Sequence, residues 1–207
     1  MMGKMKNECS TQKTPLINQQ EYLELEKNSE IKHEYFEGEI FAMTGASLNH
    51  NRISRNIERE LGIELKGSSC ENFSGEMRVK VNELEKYTYP DIAVVCGDIE
   101  LEKINGLDTL LNPVVIMEIL SDSTEAYDRG IKFNHYRLIP SFKEYILVSQ
   151  NTCNVEQFVR GDGGIWQILT PYTDMGQHFI IESIGCELSL SDIYYRVGFD
   201  DKDVNGK

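Results

Sequence analysis

Two short apolar segments each carry a single acid at a point where a buried strand would normally carry none. Residues 89–95 contain Asp91, and residues 114–121 contain Glu118 among Val, Ile, Met and Leu. Continuous apolar runs of this length are typical of central strands that are covered on both faces. A buried carboxylate is costly unless a cation or a hydrogen-bond network compensates it. The two segments therefore predict a sheet whose interior holds a charged site.

The remaining periodicities predict helices and hairpins around that sheet. Residues 15–29 are expected to form a helix capped by Asn18, and residues 32–43 a hairpin. An apolar stripe at every fourth position predicts the longest helix over residues 50–66. Further expected elements are a strand with one solvent-exposed face over 77–81, a helix over 123–138, a strand over 143–148, a hairpin over 155–169 and a last strand within 179–188. This order indicates an α/β (α+β) class: a mixed β-sheet flanked by helices, with additional β-hairpins.

The composition is that of one acidic globular domain. The chain has 207 residues and a net charge of −13, from 21 Lys and Arg against 34 Asp and Glu. This charge argues against binding nucleic acid through bulk charge, but it leaves room for a local basic cleft. No apolar run approaches the roughly 20 residues of a membrane helix. We expect a disordered N-terminus over 1–14, a single domain over 15–199 and a flexible tail over 200–207.

The cysteines show neither a CxxC pair nor zinc-ligand spacing to a histidine. Their number is odd, and they are far apart in the sequence: Cys9, Cys70, Cys96, Cys153 and Cys186. This pattern favours a reducing cytoplasm, in which several of them act as small core residues.

Asp91 and Glu118 are 27 residues apart, on strands that are neighbours if the intervening loop returns the chain. Two such carboxylates suit Mg²⁺, which prefers oxygen ligands, and a nearby lysine would assist phosphodiester cleavage. Structural alternatives exist for each residue. Asp91 suits a strand entry at a sheet edge, and Glu118 suits an ion pair with Lys132 or Arg129. Spacing alone favours a helix-surface salt bridge for Lys132, because Asp128 precedes it by four residues.

A longer ordered set of residues resembles the Uma-two family of endonucleases, which belongs to the PD-(D/E)XK restriction-endonuclease-like superfamily. The resemblance spans about residues 18–197, and its most specific part is the run from Glu118 to Tyr136. The matching positions are Glu34, Glu37-Gly38-Glu39-Ile40, His50, Pro90-Asp91, Glu118-Ile119-Leu120-Ser121, Asp128-Arg129-Gly130, Lys132, Tyr136 and Glu144-Tyr145.

The resemblance implies a metal-dependent nuclease with Asp91 and Glu118 as ligands of Mg²⁺ (or Mn²⁺). The superfamily's lysine usually follows the glutamate by two positions, where this chain has Leu120. The resemblance therefore implies that Lys132 comes from the following helix. His50 is implied as a contact to a phosphate or a metal-bound water, with a helix-terminal structural role as the alternative. Glu34 is either a further carboxylate on the metal side or an exposed hairpin residue.

The function that these observations favour is a Mg²⁺-dependent endonuclease acting on DNA, with a homodimer expected by analogy with restriction nucleases. The acidic charge keeps two alternatives open. One is a catalytically inactive nuclease fold that serves as a binding or assembly module. The other is a metal-dependent hydrolase of a small phosphate ester, for which an acidic surface is less of an obstacle.

Overall fold

The computed structural model describes residues 16–104 and 106–199, so the expectations for residues 1–14 and 200–207, and for Cys9, lie outside the described residues. Strands dominate the described part of the chain. They are β1 His33–Phe36, β2 Glu39–Ala42, β3 Cys70–Ser74, β4 Arg78–Val81, β5 Lys86–Thr88, β6 Ile92–Cys96, β7 Leu101–Ile104, β8 Leu107–Leu110, β9 Val115–Leu120, β10 Glu144–Ser149, β11 Val155–Arg160, β12 Trp166–Ile168, β13 His178–Ile181 and β14 Cys186–Ser189.

The helices are fewer and mostly short. They are α1 Gln19–Asn28, α2 Leu48–Glu64, α3 Glu125–Tyr127, α4 Phe133–Tyr136 and α5 Leu190–Ile193. A π-helical turn, Asp128–Lys132, joins α3 to α4. The predicted helix over 123–138 is therefore interrupted by a turn of wider hydrogen bonding. Asn18 caps α1 as expected, because its side chain accepts a hydrogen bond from the backbone of Glu21. No helix among the described residues is long and apolar enough to span a membrane.

The central sheet has the strand order β12-β11-β10-β9-β6-β3. β9 runs parallel to β10 and antiparallel to β6, and its six residues are all buried. This arrangement confirms the mixed sheet with a doubly covered central strand. One face packs against α2 through Ile53, Ile57 and Leu61. The other face packs against the aromatic residues of α4, Phe133 and Tyr136.

A second sheet, ordered β2-β1-β5-β4-β8-β7, brings the first hairpin close to the central sheet. The expectation of an exposed face on residues 77–81 is wrong, because all four residues of β4 are buried. Its polar side chains have local partners. The guanidinium of Arg78 stacks between the rings of Tyr22 and Tyr87, and Lys80 pairs with Glu102 at 2.5 Å.

The cysteines also differ from the expectation. Cys70 and Cys96 occupy directly opposite positions on β3 and β6 and form a disulfide. Cys153 and Cys186 are free, and Cys186 is a small core residue as expected. The long sequence separation concealed the pair, because β3 was not expected as a strand and only the sheet register brings the two residues together.

Candidate active site

The sheet register places Asp91 directly across from Glu118. β6 pairs with β9 so that Ile92 lies opposite Met117, and Asp91 is one position further along the same antiparallel register. Opposite residues project from the same face of a sheet, because side chains alternate along each strand. One Asp91 oxygen, Oδ2, accepts a hydrogen bond of 2.7 Å from the backbone N–H of Ile119. The two acids that stood out in the sequence therefore belong to one site.

Glu118 lies at the closed end of this site, where it meets Lys132. The Nζ atom of Lys132 is 2.8 Å from Glu118 Oε1, and both side chains are almost completely buried. The same ammonium lies 3.4 Å from Glu34 Oε1 and 3.6 Å from Asp128 Oδ1. Lys132 is thus shared among three buried carboxylates. The helix-surface interpretation of the Asp128–Lys132 spacing is wrong, because neither residue is at the surface.

The π turn explains how Lys132 reaches the strand from a helix. Asp128 is its first residue and Lys132 its last, and π-helical turns interrupt α-helices frequently at functional sites. Arg129 anchors the turn from outside. Its guanidinium makes two hydrogen bonds to Glu156 on β11, at 2.6 and 2.8 Å, and one to Glu125 at 2.7 Å. Arg129 therefore does not pair with Glu118.

Hydroxyl groups complete the shell around the buried carboxylates. Tyr136 donates a hydrogen bond of 3.0 Å to Glu118 Oε1, whereas Tyr127 donates one of 3.2 Å to Glu34 Oε2. The hydroxyl of Thr88, on β5, also donates to Glu34. Because Glu118 and Glu34 each have a neutral donor as well as the lysine, the geometry of this buried cluster is fixed on several sides.

Burial and charge act in opposite directions on these groups. Burial raises the pKa of Glu118 well above its usual range despite the charge of Lys132, and the nearby Asp128 and Asp91 add to this effect. For Lys132, burial disfavours the ammonium, but Glu118 and Glu34 outweigh it and raise the lysine pKa well above its ordinary value. The two carboxylates therefore favour the charged ammonium form of Lys132. Burial alone would raise the pKa of Glu34, but Lys132 and Lys86 lower it overall.

Asp91 forms the open end of the site together with His50. His50 Nε2 lies 3.0 Å from Asp91 Oδ1, and the two side chains are 18% and 20% exposed. Ser47 caps α2 by accepting a hydrogen bond from the backbone N–H of His50, which fixes the histidine in the first turn. Burial acts to lower the pKa of His50, but its hydrogen bond to Asp91 and the charge of that carboxylate raise it overall.

A cleft of about 980 Å³ gives solvent access to this open end. Acids outnumber bases along its walls. The acids are Glu30, Glu34, Glu58, Glu76, Asp91, Glu118, Asp122 and Asp128, and the basic residues are Lys32, His50 and Lys132. Lys32 is already paired with Glu76 at 2.8 Å, and Lys132 is held inside the buried cluster. The sequence left room for a locally basic cleft, but these walls are acidic.

The donor set suits a hard divalent cation. Within residues 16–104 and 106–199, no group of three or more His, Cys, Asp or Glu side chains is arranged to hold a metal ion. Mg²⁺, however, is commonly held by one or two carboxylates and retains several waters. Asp91 and Glu118 lie opposite one another, and Asp91 faces the cleft, so the pair fits this mode of binding.

The structure brings Glu34, His50, Asp91, Glu118 and Lys132 together around one cleft. Glu34 is buried beside Lys132 rather than exposed on its hairpin, which excludes the hairpin-surface alternative. Sequence reasoning missed Thr88, Tyr127 and Lys86. No strand was expected over residues 86–88, so no pattern indicated that Thr88 and Lys86 would face the site.

Comparison with known proteins identifies the family. A family model described as "Putative restriction endonuclease", Uma2, matches residues 19–191. The chain belongs to the Uma2 family. Two uncharacterized proteins of Synechocystis sp. (strain ATCC 27184 / PCC 6803 / Kazusa) are similar to this Uma2 chain over most of both lengths. The protein slr1290 is 33% identical over 89% of this chain and 95% of its own length. The protein sll1609 is 36% identical over 82% and 93% respectively.

A solved structure supports the Uma2 fold. It is described as the crystal structure of a putative nuclease belonging to DUF820 from Anabaena variabilis ATCC 29413. It superposes with a TM-score of 0.68 at 19% identity, covering 86% of this chain and 97% of the other. The similarity establishes the restriction-endonuclease-like fold that the sequence predicted. Together with the family match, it supports a nuclease-like function at a coarse level.

Proposed function

We propose that this protein is a divalent-metal-dependent endonuclease that hydrolyses phosphodiester bonds of DNA. The observation that carries the proposal is the contact of 2.8 Å between Lys132 and Glu118, with Asp91 across from Glu118 immediately before the neighbouring strand β6. Two acids and one lysine on a nuclease fold are the groups that metal-assisted phosphodiester cleavage requires. The Uma2 family match makes this reaction class the natural choice.

Asp91 and Glu118 are the proposed ligands of Mg²⁺ (or Mn²⁺). When bound, such an ion lowers the pKa of a coordinated water and stabilises negative charge on a phosphate. The hydrogen bond from the backbone of Ile119 fixes one oxygen of Asp91, and the other oxygen faces the cleft side of the site beside His50. The acid is therefore oriented before any ligand arrives.

Lys132, His50 and Glu34 have separate proposed roles. Lys132 is a compact cation that orients the attacking water or stabilises charge on a phosphate oxygen. Glu34 lies 3.4 Å from that ammonium and is a second carboxylate holding it, so we assign Glu34 a positioning role. His50 orients Asp91 and supplies an N–H donor at the mouth of the site.

The test is cleavage of supercoiled plasmid with Mg²⁺ or Mn²⁺. We expect the purified protein to nick or linearise the plasmid, and we expect EDTA, Asp91→Asn, Glu118→Gln and Lys132→Met each to abolish the reaction. Ile131→Met is the matched control for Lys132→Met, because Ile131 is the exposed neighbouring residue on the same turn. A wild-type protein that cleaves no nucleic acid, or variants that cleave equally well, would refute the proposal.

The acidic walls of the cleft favour one second candidate, a metal-dependent hydrolase of a small phosphate ester. A small substrate needs no extended basic surface. Hydrolysis of nitrophenyl phosphate esters, with plasmid left intact under the same conditions, would select this alternative. Mn²⁺ binding without turnover of either substrate would instead indicate an inactive nuclease fold that serves as a binding module.

The homodimer remains part of the proposal by analogy, because two paired sites are one way to cut both strands of a duplex. Sedimentation equilibrium is its test. We expect a dimer at micromolar protein concentration, and a monomer under those conditions would remove this part while leaving the chemistry of the site untouched.

A further inference from the structure

Helix α2 carries three arginines along one side. Arg52, Arg55 and Arg59 are spaced by three and four residues, which places them within an arc of about 60° on a helix of 3.6 residues per turn. No acidic residue of α2 falls within that arc, because Glu58, Glu60 and Glu64 project to its two sides. In a chain of net charge −13, this is a local concentration of positive charge.

Two of these arginines form no ion pair with a carboxylate of the described residues. Among residues 16–104 and 106–199, neither Arg52 nor Arg55 has a hydrogen-bond or ion-pair partner, and Arg55 is exposed to solvent. Arg59 differs, since its guanidinium contacts Glu60 at 2.6 Å. Elsewhere the half-buried cation Arg129 is held by two carboxylates. Arg52 and Arg55 therefore keep donors available for a ligand.

An aromatic ring and a fourth arginine extend this surface. The guanidinium groups of Arg59 and Arg196 lie 5.9 and 5.2 Å from the centre of the Tyr195 ring, which is 48% exposed. The amide of Asn56, on α2, donates a hydrogen bond of 2.9 Å to the carbonyl oxygen of Tyr195 and holds this segment against the helix. We call Arg52, Arg55, Arg59 and Arg196 the arginine face.

The arginine face lies beside the cleft over the first three turns of α2. Asn51, Ser54 and Glu58 occupy the adjacent side of α2, and all three line the cleft. His50, in the first turn of the same helix, contacts Asp91. Because the cleft walls are acidic and Lys32 is already paired, a polyanion entering the cleft must be stabilised from outside it. The unpaired arginines beside the cleft provide that charge.

We propose that the arginine face binds the sugar–phosphate backbone of the DNA strand that leads into the cleft; this inference rests on the proposed function. From Arg52 to Arg59 the helix rises about 10 Å, which matches about three nucleotides at 3.4 Å each. Arginine suits this task, because its planar fork of donors matches phosphate oxygens. The contacts are to the backbone, so they position the strand without selecting its sequence.

The test compares DNA binding by the wild type and the double variant Arg52→Gln/Arg55→Gln. Binding of a short labelled duplex is measured by fluorescence anisotropy in EDTA at several NaCl concentrations. We expect Kd to rise by about tenfold or more and the slope of log Kd against log salt to become shallower by about two. The control is Lys103→Gln/Lys143→Gln. It changes the net charge equally at two exposed lysines. Lys143 immediately precedes β10, at the end of that strand opposite Gln150, which lines the cleft. We expect less than a twofold change for it.

Several outcomes would overturn the inference. They are an unchanged Kd in the arginine variant, an equal loss in the control, no binding of the duplex by the wild-type protein, and tighter binding of a polyglutamate peptide than of the duplex. If the wild type cleaves plasmid with Mg²⁺ but the duplex Kd is unchanged in the arginine variant, this inference is refuted and the proposed endonuclease function is not. Arginine-dependent binding without any cleavage would instead refute the proposed endonuclease function and leave the arginine face as a nucleic-acid contact.

Discussion

Glu118 lies on β9, and Asp91 lies across from it immediately before β6, yet their surroundings differ. Asp91 is partly exposed at the cleft and contacts His50 and one backbone N–H. Glu118 is buried and contacts Lys132 and Tyr136. The open half of the site can exchange ligands with solvent, whereas the closed half is part of the folded core. Under the proposed function, Asp91 would therefore give a cation access to the site, whereas Glu118 fixes the position of Lys132.

The largest effect on stability is expected in the closed half. Lys132→Met leaves Glu118 without its cation in a buried environment, and we expect a loss of about 3–5 kcal/mol in the free energy of unfolding. Urea denaturation in EDTA measures this loss, with Ile131→Met as the control and an expected change of about 0.5 kcal/mol or less. A loss below about 1 kcal/mol for Lys132→Met would contradict the buried, ion-paired closed half.

Lys86 is a second cation of the closed half, and its lowered pKa predicts that the free energy of unfolding depends on pH. Lys86 donates a hydrogen bond of 2.5 Å to Tyr127, and burial lowers its pKa from 10.5 to about 8 despite the opposing charge of Glu34. Between these two pH values the unfolded chain binds the proton more strongly, so the contribution of Lys86 to stability rises with pH. We expect wild type to gain about 3 kcal/mol relative to Lys86→Met from pH 8 to 10.5. Parallel stability curves would contradict the lowered pKa.

An intermediate effect is expected from the hydroxyl shell. Tyr136→Phe removes the donor to Glu118 without changing the packing of the ring, and we expect a loss of about 2 kcal/mol, as for hydrogen bonds to charged groups. Tyr172→Phe is the matched control, because within the described part of the chain the Tyr172 hydroxyl makes a single long contact, of 3.5 Å to Gln157. Equal losses in thermal or urea denaturation would mean that the Tyr136 hydroxyl has no special role at Glu118.

The smallest effect on stability belongs to the open half. Asp91→Asn removes a partly exposed contact with His50, and we expect a change within about 1 kcal/mol in EDTA. NMR titration of the His50 ring is a sharper probe. Since Asp91 is what raises the His50 pKa above the value that burial would give, the pKa is expected to fall in this variant. An unchanged pKa would place the cause elsewhere in the site.

The sequence predicted the parts of the fold that rest on strong local patterns. The apolar run around Glu118 and the stripe on α2 both gave elements close to those observed, because burial on both faces or on one face leaves a distinct periodicity. Short polar strands such as β5 and β7 leave no such pattern, since their pairing with distant strands decides their structure. The disulfide was missed for the same reason.

The residues of the candidate site also fall into those that a sequence pattern indicated and those that it did not. The acids stood out because they interrupt apolar strands, and the family resemblance added Lys132. The burial of Asp128 and Lys132 was not predictable from their spacing, because an i,i+4 pair has the same pattern on a helix surface and in a π turn that faces the core. Thr88 and Tyr127 carried no signal, because only the approach of the second sheet and the π turn brings their hydroxyls to Glu34.

The most direct test of the divided site is a calorimetric titration with Mn²⁺ of the wild type, Asp91→Asn and Glu118→Gln, with denaturation of each protein measured in EDTA. We predict metal binding by the wild type and its loss in both variants, together with near-wild-type stability for Asp91→Asn. Mn²⁺ binding of undiminished affinity in both variants would contradict it, because the two acids would then not be the metal ligands.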